Sequence, residues 1–182
     1  MARVPGISLA LAYTPDEAFG HFQKLAPAGV HLVAQTGAGL GERLTRAFAW
    51  GFSAGFDAVL VRNSDSPDLP GYLVTEAQAV LARGEAQVVL GPSPDGGYNL
   101  VGLRSPQPEL FQGVVWSTPQ VLADTLSRAR ALSLAVHLLP SWPDIDTYAD
   151  LVKFLEQDRT PNAPGWRSYH WLRTHLPSIL SK

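Results

Sequence analysis

An aspartate that follows a short apolar strand is the residue best placed for chemistry in this chain. The strand is predicted over residues 58–61, and a polar loop then carries Asp65 before Ser66 and Pro67 end the extended segment. Ligands of open parallel sheets bind beyond the carboxyl ends of the strands, so Asp65 can reach a bound metal or phosphate there. The alternative interpretation is a turn aspartate that caps the next segment.

A second acidic pair stands far along the chain, at Asp144 and Asp146. Asp146 or Thr147 can cap the helix that follows, with Asp150 in its first turns, and capping alone explains one acid. A second acid two residues earlier is what an oxygen-liganded Mg²⁺ or Mn²⁺ site uses, because hard divalent cations take carboxylates. Asp65 with one member of this pair would then hold the metal.

The loop over residues 91–97 is the densest in turn-forming residues, and it ends in Asp95-Gly96-Gly97 between two strand-like runs. A hairpin turn explains it, because Asp-Gly is a strong turn signal. A ligand loop explains it equally well. Paired glycines would let a sugar or base ring lie against the backbone, while Asp95 accepts hydrogen bonds from hydroxyl or amino groups.

A glycine-rich loop, Gly37-Ala38-Gly39-Leu40-Gly41, separates a predicted strand from a predicted helix. Such a loop lets backbone N–H groups and the helix N-terminus face an anion closely. It lacks the ending of a Walker loop, and its spacing differs from the dinucleotide fingerprint. Arg43 lies in the first helical turn, where helix electrostatics favour acids, so a phosphate-binding role is one interpretation of it. A plain connecting loop is the other.

The remaining patterns predict the elements that position these residues. Leu44, Phe48 and Phe52 fall four apart and share one helical face. Strands are predicted over 7–13, 30–35, 58–61, 86–90, 98–103 and 134–139, and helices over 15–25, 41–52, 71–83, 118–132 and 146–157. This alternation is typical of βαβ units around a mainly parallel sheet, so the fold class is α/β.

The end of the chain is aromatic. A linker with Pro161 and Pro164 precedes Trp166, Tyr169 and Trp171. We expect a main domain over residues 1–158, and a linker with a short helix over 159–182 that packs on the same domain. A dimer contact or a lid is the alternative role for these aromatic side chains.

Composition excludes several functional classes. The 182 residues carry a formal charge of −2, which gives no electrostatic footprint for nucleic acid. The absence of cysteine excludes disulfides and thiolate zinc sites, and the five histidines lack metal-ligand spacing, so oxygen atoms would hold any metal. The apolar run at 7–13 is too short for a membrane span and is a poor signal peptide. We expect a cytoplasmic enzyme or binding protein.

Five motifs, taken together and in order, resemble one known family. They are Gly39-Leu40-Gly41-Glu42-Arg43, Asn63-Ser64-Asp65-Ser66-Pro67, the loop 91–98, Trp116-Ser117-Thr118 and Asp144-Ile145-Asp146-Thr147. The family is that of uncharacterised bacterial glycosyltransferase-like, or selenodomain-associated, transferases. It is similar to 2-phospho-L-lactate guanylyltransferase and molybdenum cofactor guanylyltransferase, and belongs with the nucleotide-diphospho-sugar transferases.

The resemblance covers about residues 7–156 and implies a three-layer, Rossmann-like glycosyltransferase-A fold. It implies metal ligation by Asp65, Asp144 and Asp146, and catalytic roles for Asp65 and Asp95. It also implies contacts with a nucleotide or nucleotide sugar at seven positions, which are Gly39, Gly41, Arg43, Ser64, Gly96, Gly97 and Trp116. The expected activity is a Mg²⁺- or Mn²⁺-dependent transfer of a glycosyl or nucleotidyl group.

The chain departs from that family at its start. Members open with a strand and a basic loop ending in Lys-Thr-Arg-Leu, whereas residue 7 here already matches the second strand and Lys-Thr-Arg is absent. We therefore expect the strands at Ile7 and Ala58 to pair directly, or a partner chain to fill the place, and a homodimer is one such arrangement. The rival hypothesis is a non-catalytic nucleotide- or sugar-binding descendant of the fold.

Overall fold

The computed structural model describes residues 6–157, 160 and 163–180. Six strands are formed, named in chain order: β1 Ala10–Tyr13, β2 His31–Ala34, β3 Val59–Arg62, β4 Val88–Pro92, β5 Tyr98–Leu103 and β6 Val136–Leu138. Six α-helices accompany them: α1 Phe19–Leu25, α2 Leu40–Ser53, α3 Gly71–Arg83, α4 Val121–Ala131, α5 Tyr148–Glu156 and α6 Trp166–Leu180. The predicted alternation of strands and helices is confirmed.

The described strands form two sheets. β1 and β2 pair in parallel, with Ala10 opposite His31. The larger sheet has the order β3-β5-β4-β6, in which β5 runs antiparallel to β3 and β4, and β6 runs parallel to β4. Asn63 extends the β3–β5 ladder by one bond, since its N–H donates to the carbonyl of Asn99 at 3.0 Å.

The expectation that the strands at Ile7 and Ala58 pair directly is wrong for the described residues, because β1 pairs only with β2 and β3 only with β5. Helix α2 connects the two sheets instead. The ring of Trp50 lies 5.7 Å from that of His31 on β2, and the next residue, Gly51, adjoins Val59 on β3. Side-chain packing thus joins the sheets where backbone hydrogen bonds do not. That a partner chain fills this place stays a prediction.

The core lies on both faces of the larger sheet, which gives the three-layer arrangement. Val88 and Leu90 of β4 pack with Phe48 of α2 on one face. Val89, which points the other way, packs with Leu81 of α3. A strand that is buried on both faces reads as a continuous apolar run, and the sequence of β4 has that form.

Local signals set several helix ends. Gly84 ends α3 in the left-handed conformation, as its position predicts. Thr147 caps α5 and forms a capping box with Asp150, which confirms one of the two predicted caps. Because Thr147 does the capping, Asp146 is free for another role.

The aromatic end of the chain packs on the main body. The ring of Tyr169 on α6 lies 6.2 Å from that of Phe154 on α5, while Trp171 is 52% exposed. Pro161 of the predicted linker lies outside the described residues, and the division into residues 1–158 and 159–182 stays a prediction. No described helix has the length and apolar character needed to cross a membrane.

Candidate functional site

Three carboxylates converge at the edge of the larger sheet where β4 and β6 end. Asp95 follows β4, Asp144 and Asp146 follow β6, and one ligand oxygen of each lies within 4.8 Å of the others. We call this group the acid cluster. Carboxylate oxygens gathered in this way are a donor set that Mg²⁺ and Mn²⁺ prefer, so the residues fit a hard divalent cation.

Asp95 is held by its own hairpin. The loop between β4 and β5 closes as the hairpin turn that the sequence indicated, with the Ser93 N–H donating to the carbonyl of Gly97 at 3.0 Å. Within it, Oδ1 of Asp95 accepts hydrogen bonds from the Gly97 N–H at 3.0 Å and from the Ser93 hydroxyl. The turn interpretation and the ligand interpretation of this loop are therefore compatible, because the turn orients the acid.

Asp144 is held from the loop after β3. Its Oδ1 accepts hydrogen bonds from Nδ2 of Asn63 at 3.0 Å and from the hydroxyl of Ser66, which is fully buried. A backbone bond ties the same two segments together, since the Ile145 N–H donates to the carbonyl of Asp65 at 2.9 Å. Two distant stretches of chain thereby meet at the acid cluster.

Asp65 lies beside the acid cluster and outside the group of three. Its carboxylate accepts a hydrogen bond from the neighbouring Ser64 hydroxyl at 3.1 Å. The sequence placed Asp65 with Asp144 and Asp146, whereas the structure brings that pair together with Asp95. Asp65 still acts on the group through its charge, because it is one of the acids that raise the pKa of Asp146.

The acid cluster has a surplus of negative charge. Desolvation raises the pKa of Asp146, and the charges of Asp144, Asp65 and Asp95 raise it further. Repulsion of this kind is relieved by a bound cation or by a proton. The electrostatics therefore agree with the donor chemistry.

Arg62 is the cation that packs against the loop after β3. Its guanidinium donates to the carbonyl of Asn63 at 3.1 Å and to that of Ser66, so its role is to fix the loop backbone. Burial lowers the pKa of Arg62, and the charges of Asp68 and Asp144 partly offset that effect.

The glycine-rich loop already contains an anion. Oε2 of Glu42 accepts the Ala38 N–H at 2.9 Å, and Oε1 pairs with Arg46. That backbone bond, followed by the bond and charge of Arg46, lowers the pKa of Glu42. Arg43 donates to the carbonyl of Gly37 at 3.3 Å. The Ala38 N–H and both cations thus have partners within the protein.

A cavity of about 220 Å³ lies between α2 and the smaller sheet, beside this loop. Arg43 and Arg46 line it together with Trp50 and the strand residues Ala12 and Val33. The cavity brings the predicted phosphate contact Arg43 to a concave, partly apolar surface.

Gly41 and Trp116 are packing partners. A Cβ on Gly41 would lie 2.8 Å from Nε1 of Trp116 and 2.9 Å from the carbonyl of Phe111. The Trp116 ring also meets Tyr98 edge-on, with centroids 6.3 Å apart. Gly39, in contrast, has open space where a Cβ would be. The close approach explains why glycine occupies position 41.

Gly96 and Gly97 differ in a similar way. Gly96 has a φ of +91°, and a Cβ there would collide with the carbonyl of Pro119. Gly97 supplies the N–H that holds Asp95. The first glycine is required by backbone geometry, and the second takes part in orienting the acid.

Sequence reasoning missed the side chains that orient the carboxylates, which are Asn63, Ser66 and Ser93. Their signal was present, because each is a short hydrogen-bond donor next to the end of a strand. Asp144 is 81 residues from Asn63, so no local pattern could pair them.

Comparisons with known proteins agree with this fold. The crystal structure of a candidate nucleotide-diphospho-sugar transferase from Desulfovibrio desulfuricans G20 is similar at a TM-score of 0.84 and 32% sequence identity, over 96% of this chain and 76% of that one. The fold is therefore the Rossmann-like glycosyltransferase-A fold. No curated protein matches the chain.

A family model provides the assignment. Residues 1–118 match the model described as "Uncharacterized protein conserved in bacteria (DUF2064)". The match covers most of the larger sheet and the segments that carry Asp65 and Asp95. The chain belongs to the DUF2064 family and shares the fold of the nucleotide-diphospho-sugar transferases.

Proposed function

We propose that the protein is a metal-dependent transferase that moves a glycosyl or nucleotidyl group from a nucleotide sugar or nucleoside triphosphate. The observation that carries the proposal is the acid cluster, in which Asp95, Asp144 and Asp146 gather at one edge of the sheet. That edge is where ligands of α/β sheets bind. The general transferase role is also supported by the similarity to the Desulfovibrio protein.

The three carboxylates of the acid cluster would hold Mg²⁺ or Mn²⁺. Such an ion, when bound, neutralises the diphosphate and stabilises the leaving group. The chain's own contribution is orientation, because Ser93, Gly97, Asn63 and Ser66 fix two of the three carboxylates before any ligand arrives. Groups fixed in advance need no reorganisation during the reaction.

The proposal also includes contacts with the nucleotide or its sugar. Gly96, Gly97 and Trp116 lie on the loops that adjoin the acid cluster or the start of α2, which suits contacts with a base or sugar ring. Gly39, Gly41 and Arg43 are proposed to contact the phosphates once Glu42 releases the Ala38 N–H. Ser64 and Asp65, which are hydrogen-bonded to each other on the loop after β3, are also proposed to contact the bound donor.

Thermal denaturation with a panel of nucleotides and nucleotide sugars, each with and without Mn²⁺, tests the proposal. A ligand at 100 times its Kd stabilises the native state by about 2.7 kcal/mol. We expect a Mn²⁺-dependent rise in melting temperature with one donor, and its loss in Asp144→Asn. Asp57→Asn is the matched control, because Asp57 is exposed and precedes β3 at the end away from the acid cluster. No shift with any donor would contradict the proposal.

A second candidate function is a non-catalytic nucleotide- or sugar-binding protein. This function is favoured because three arginines near the two candidate regions already have protein partners. Arg43 and Arg62 donate to backbone carbonyls, and Arg46 pairs with Glu42. The donor groups of these cations are thus directed at the protein, whereas phosphoryl transfer needs cations directed at the phosphates. A single-turnover assay with a radiolabelled donor separates the two functions, because a binder gives the Mn²⁺-dependent shift and releases no labelled product.

A further inference from the structure

We propose that Asn63 and Ser66 are positioning residues that lock the Asp144 carboxylate into the orientation required for metal binding. The inference rests on the proposed function, since it concerns how the acid cluster would hold its ion. Both side chains donate to the same oxygen, Oδ1 of Asp144. Neither is a ligand in this proposal.

The two oxygens of the Asp144 carboxylate then have different roles, because both donors bond to the same one. An ionised carboxylate oxygen accepts about two hydrogen bonds, so Oδ1 is saturated and Oδ2 receives no donor from the described residues. Oδ2 is then the oxygen available to a cation between Asp144, Asp95 and Asp146. Asp95 has the same arrangement, because Ser93 and Gly97 both donate to its Oδ1.

Without these donors the carboxylate of Asp144 would turn. The terminal torsion of aspartate is broad, so packing alone does not fix it. Asp95 and Asp146 would repel it, since one ligand oxygen of each lies within 4.8 Å of the others in the acid cluster. Groups that orient metal ligands in this way typically contribute 10- to 100-fold to metal affinity.

The backbone of the loop is fixed independently of the two side chains. Arg62 donates to the carbonyls of both Asn63 and Ser66, and the Ile145 N–H donates to the carbonyl of Asp65. Removing a donor side chain therefore leaves the loop in place and frees only the carboxylate. This separation makes the positioning role measurable.

The test is Mn²⁺ binding to the full chain, measured by electron paramagnetic resonance, for Asn63→Ala and Ser66→Ala. The matched control is Ser53→Ala, which removes an exposed hydroxyl at the last residue of α2 and touches none of the residues that orient the acid cluster. We expect 10- to 100-fold weaker Mn²⁺ binding in the two donor variants and less than about 2-fold change in the control. The spectrum of bound Mn²⁺, which depends on ligand arrangement, should change in the donor variants alone.

The melting temperature of the metal-free variants separates positioning from structure. A merely structural role lowers that temperature and leaves Mn²⁺ affinity unchanged below it, which would overturn the inference. Asn63→Ala decides the matter if the buried Ser66→Ala fails to fold, because Asn63 is only partly buried. If the wild type binds Mn²⁺ and both variants bind equally well, the positioning role alone is wrong. If the wild type binds no Mn²⁺, the proposed function is wrong and this inference with it.

Discussion

The acid cluster and the glycine-rich loop are both ligand candidates, and they differ in how their charge is balanced. The carboxylates of Asp95, Asp144 and Asp146 lie together without a described cation among their hydrogen-bond partners. In the glycine-rich loop, Glu42 occupies a backbone amide and Arg46 neutralises it. The uncompensated carboxylates of the acid cluster favour binding of a cation. In the glycine-rich loop, the Glu42–Arg46 ion pair must break before an anion can bind to the loop amide.

Their supports differ as well. Asp95 of the acid cluster follows β4, where Val88, Val89 and Leu90 have no exposed surface, and the other two acids follow β6, which pairs with β4. The glycine-rich loop extends from the smaller sheet, in which Ala10 and His31 are exposed. A site on a rigid element is held more accurately than one on a marginal element. We therefore infer that the acid cluster is preorganised for a ligand and that the glycine-rich loop is not.

The largest expected effect is a core truncation beneath the acid cluster. Leu90→Ala removes a fully buried side chain and should lower the free energy of unfolding by about 2–5 kcal/mol. Leu32→Ala in β2 is the matched change beneath the glycine-rich loop, and we expect about 1 kcal/mol because Leu32 is only half-buried. Urea denaturation of both variants measures the difference. Equal losses of stability would contradict the inference that the larger sheet holds its loop more firmly than the smaller sheet does.

A smaller effect is expected at the start of α2. Gly41→Ala would place a Cβ 2.8 Å from Nε1 of Trp116, and we expect a loss of about 1–3 kcal/mol from overpacking. Gly39→Ala is the control, because no atom lies within 4 Å of a Cβ there and the loss of the glycine N-cap costs only about 0.5–1 kcal/mol. Thermal denaturation compares them. If Gly41→Ala has the melting temperature of the wild type, the Trp116 ring can move to admit the added methyl group.

The smallest expected effect is on stability against pH. The pKa of Asp146 is raised in the native state, so the native protein binds more protons than the unfolded chain between the ordinary and the raised pKa. Stability therefore falls as pH rises through that interval, and the loss is complete above it. Asp146→Asn removes the penalty and should stabilise the metal-free protein at pH 7 by less than about 1 kcal/mol, since exposed charges are screened.

Urea denaturation at several pH values follows this difference, which should shrink as the pH falls towards the ordinary pKa of aspartate. Asp57→Asn is the control, because that carboxyl is exposed and stands outside the acid cluster. A variant that is less stable than the wild type at pH 7 would show that repulsion within the acid cluster is negligible.

Sequence patterns were sufficient for the α/β class, because apolar runs such as 86–90 and 98–103 each coincide largely with one strand, β4 and β5. They also located Asp95, Asp144 and Asp146 as candidate ligands. They did not locate Asn63 and Ser66, since those contacts to Asp144 join segments about 80 residues apart in the chain. The pairing expected between the first and third strands also failed, because periodicity gives the faces of a strand and not its neighbours.

The central claim is that the acid cluster binds a divalent cation, and calorimetric titration with Mn²⁺ tests it directly. We expect one site in the wild type and in Asp57→Asn, and at least about 10-fold weaker binding in Asp144→Asn. Asp65→Asn should lose less affinity, because Asp65 stands outside the group of three ligand oxygens. Equal binding by the wild type and Asp144→Asn, or no binding by either, would contradict the claim.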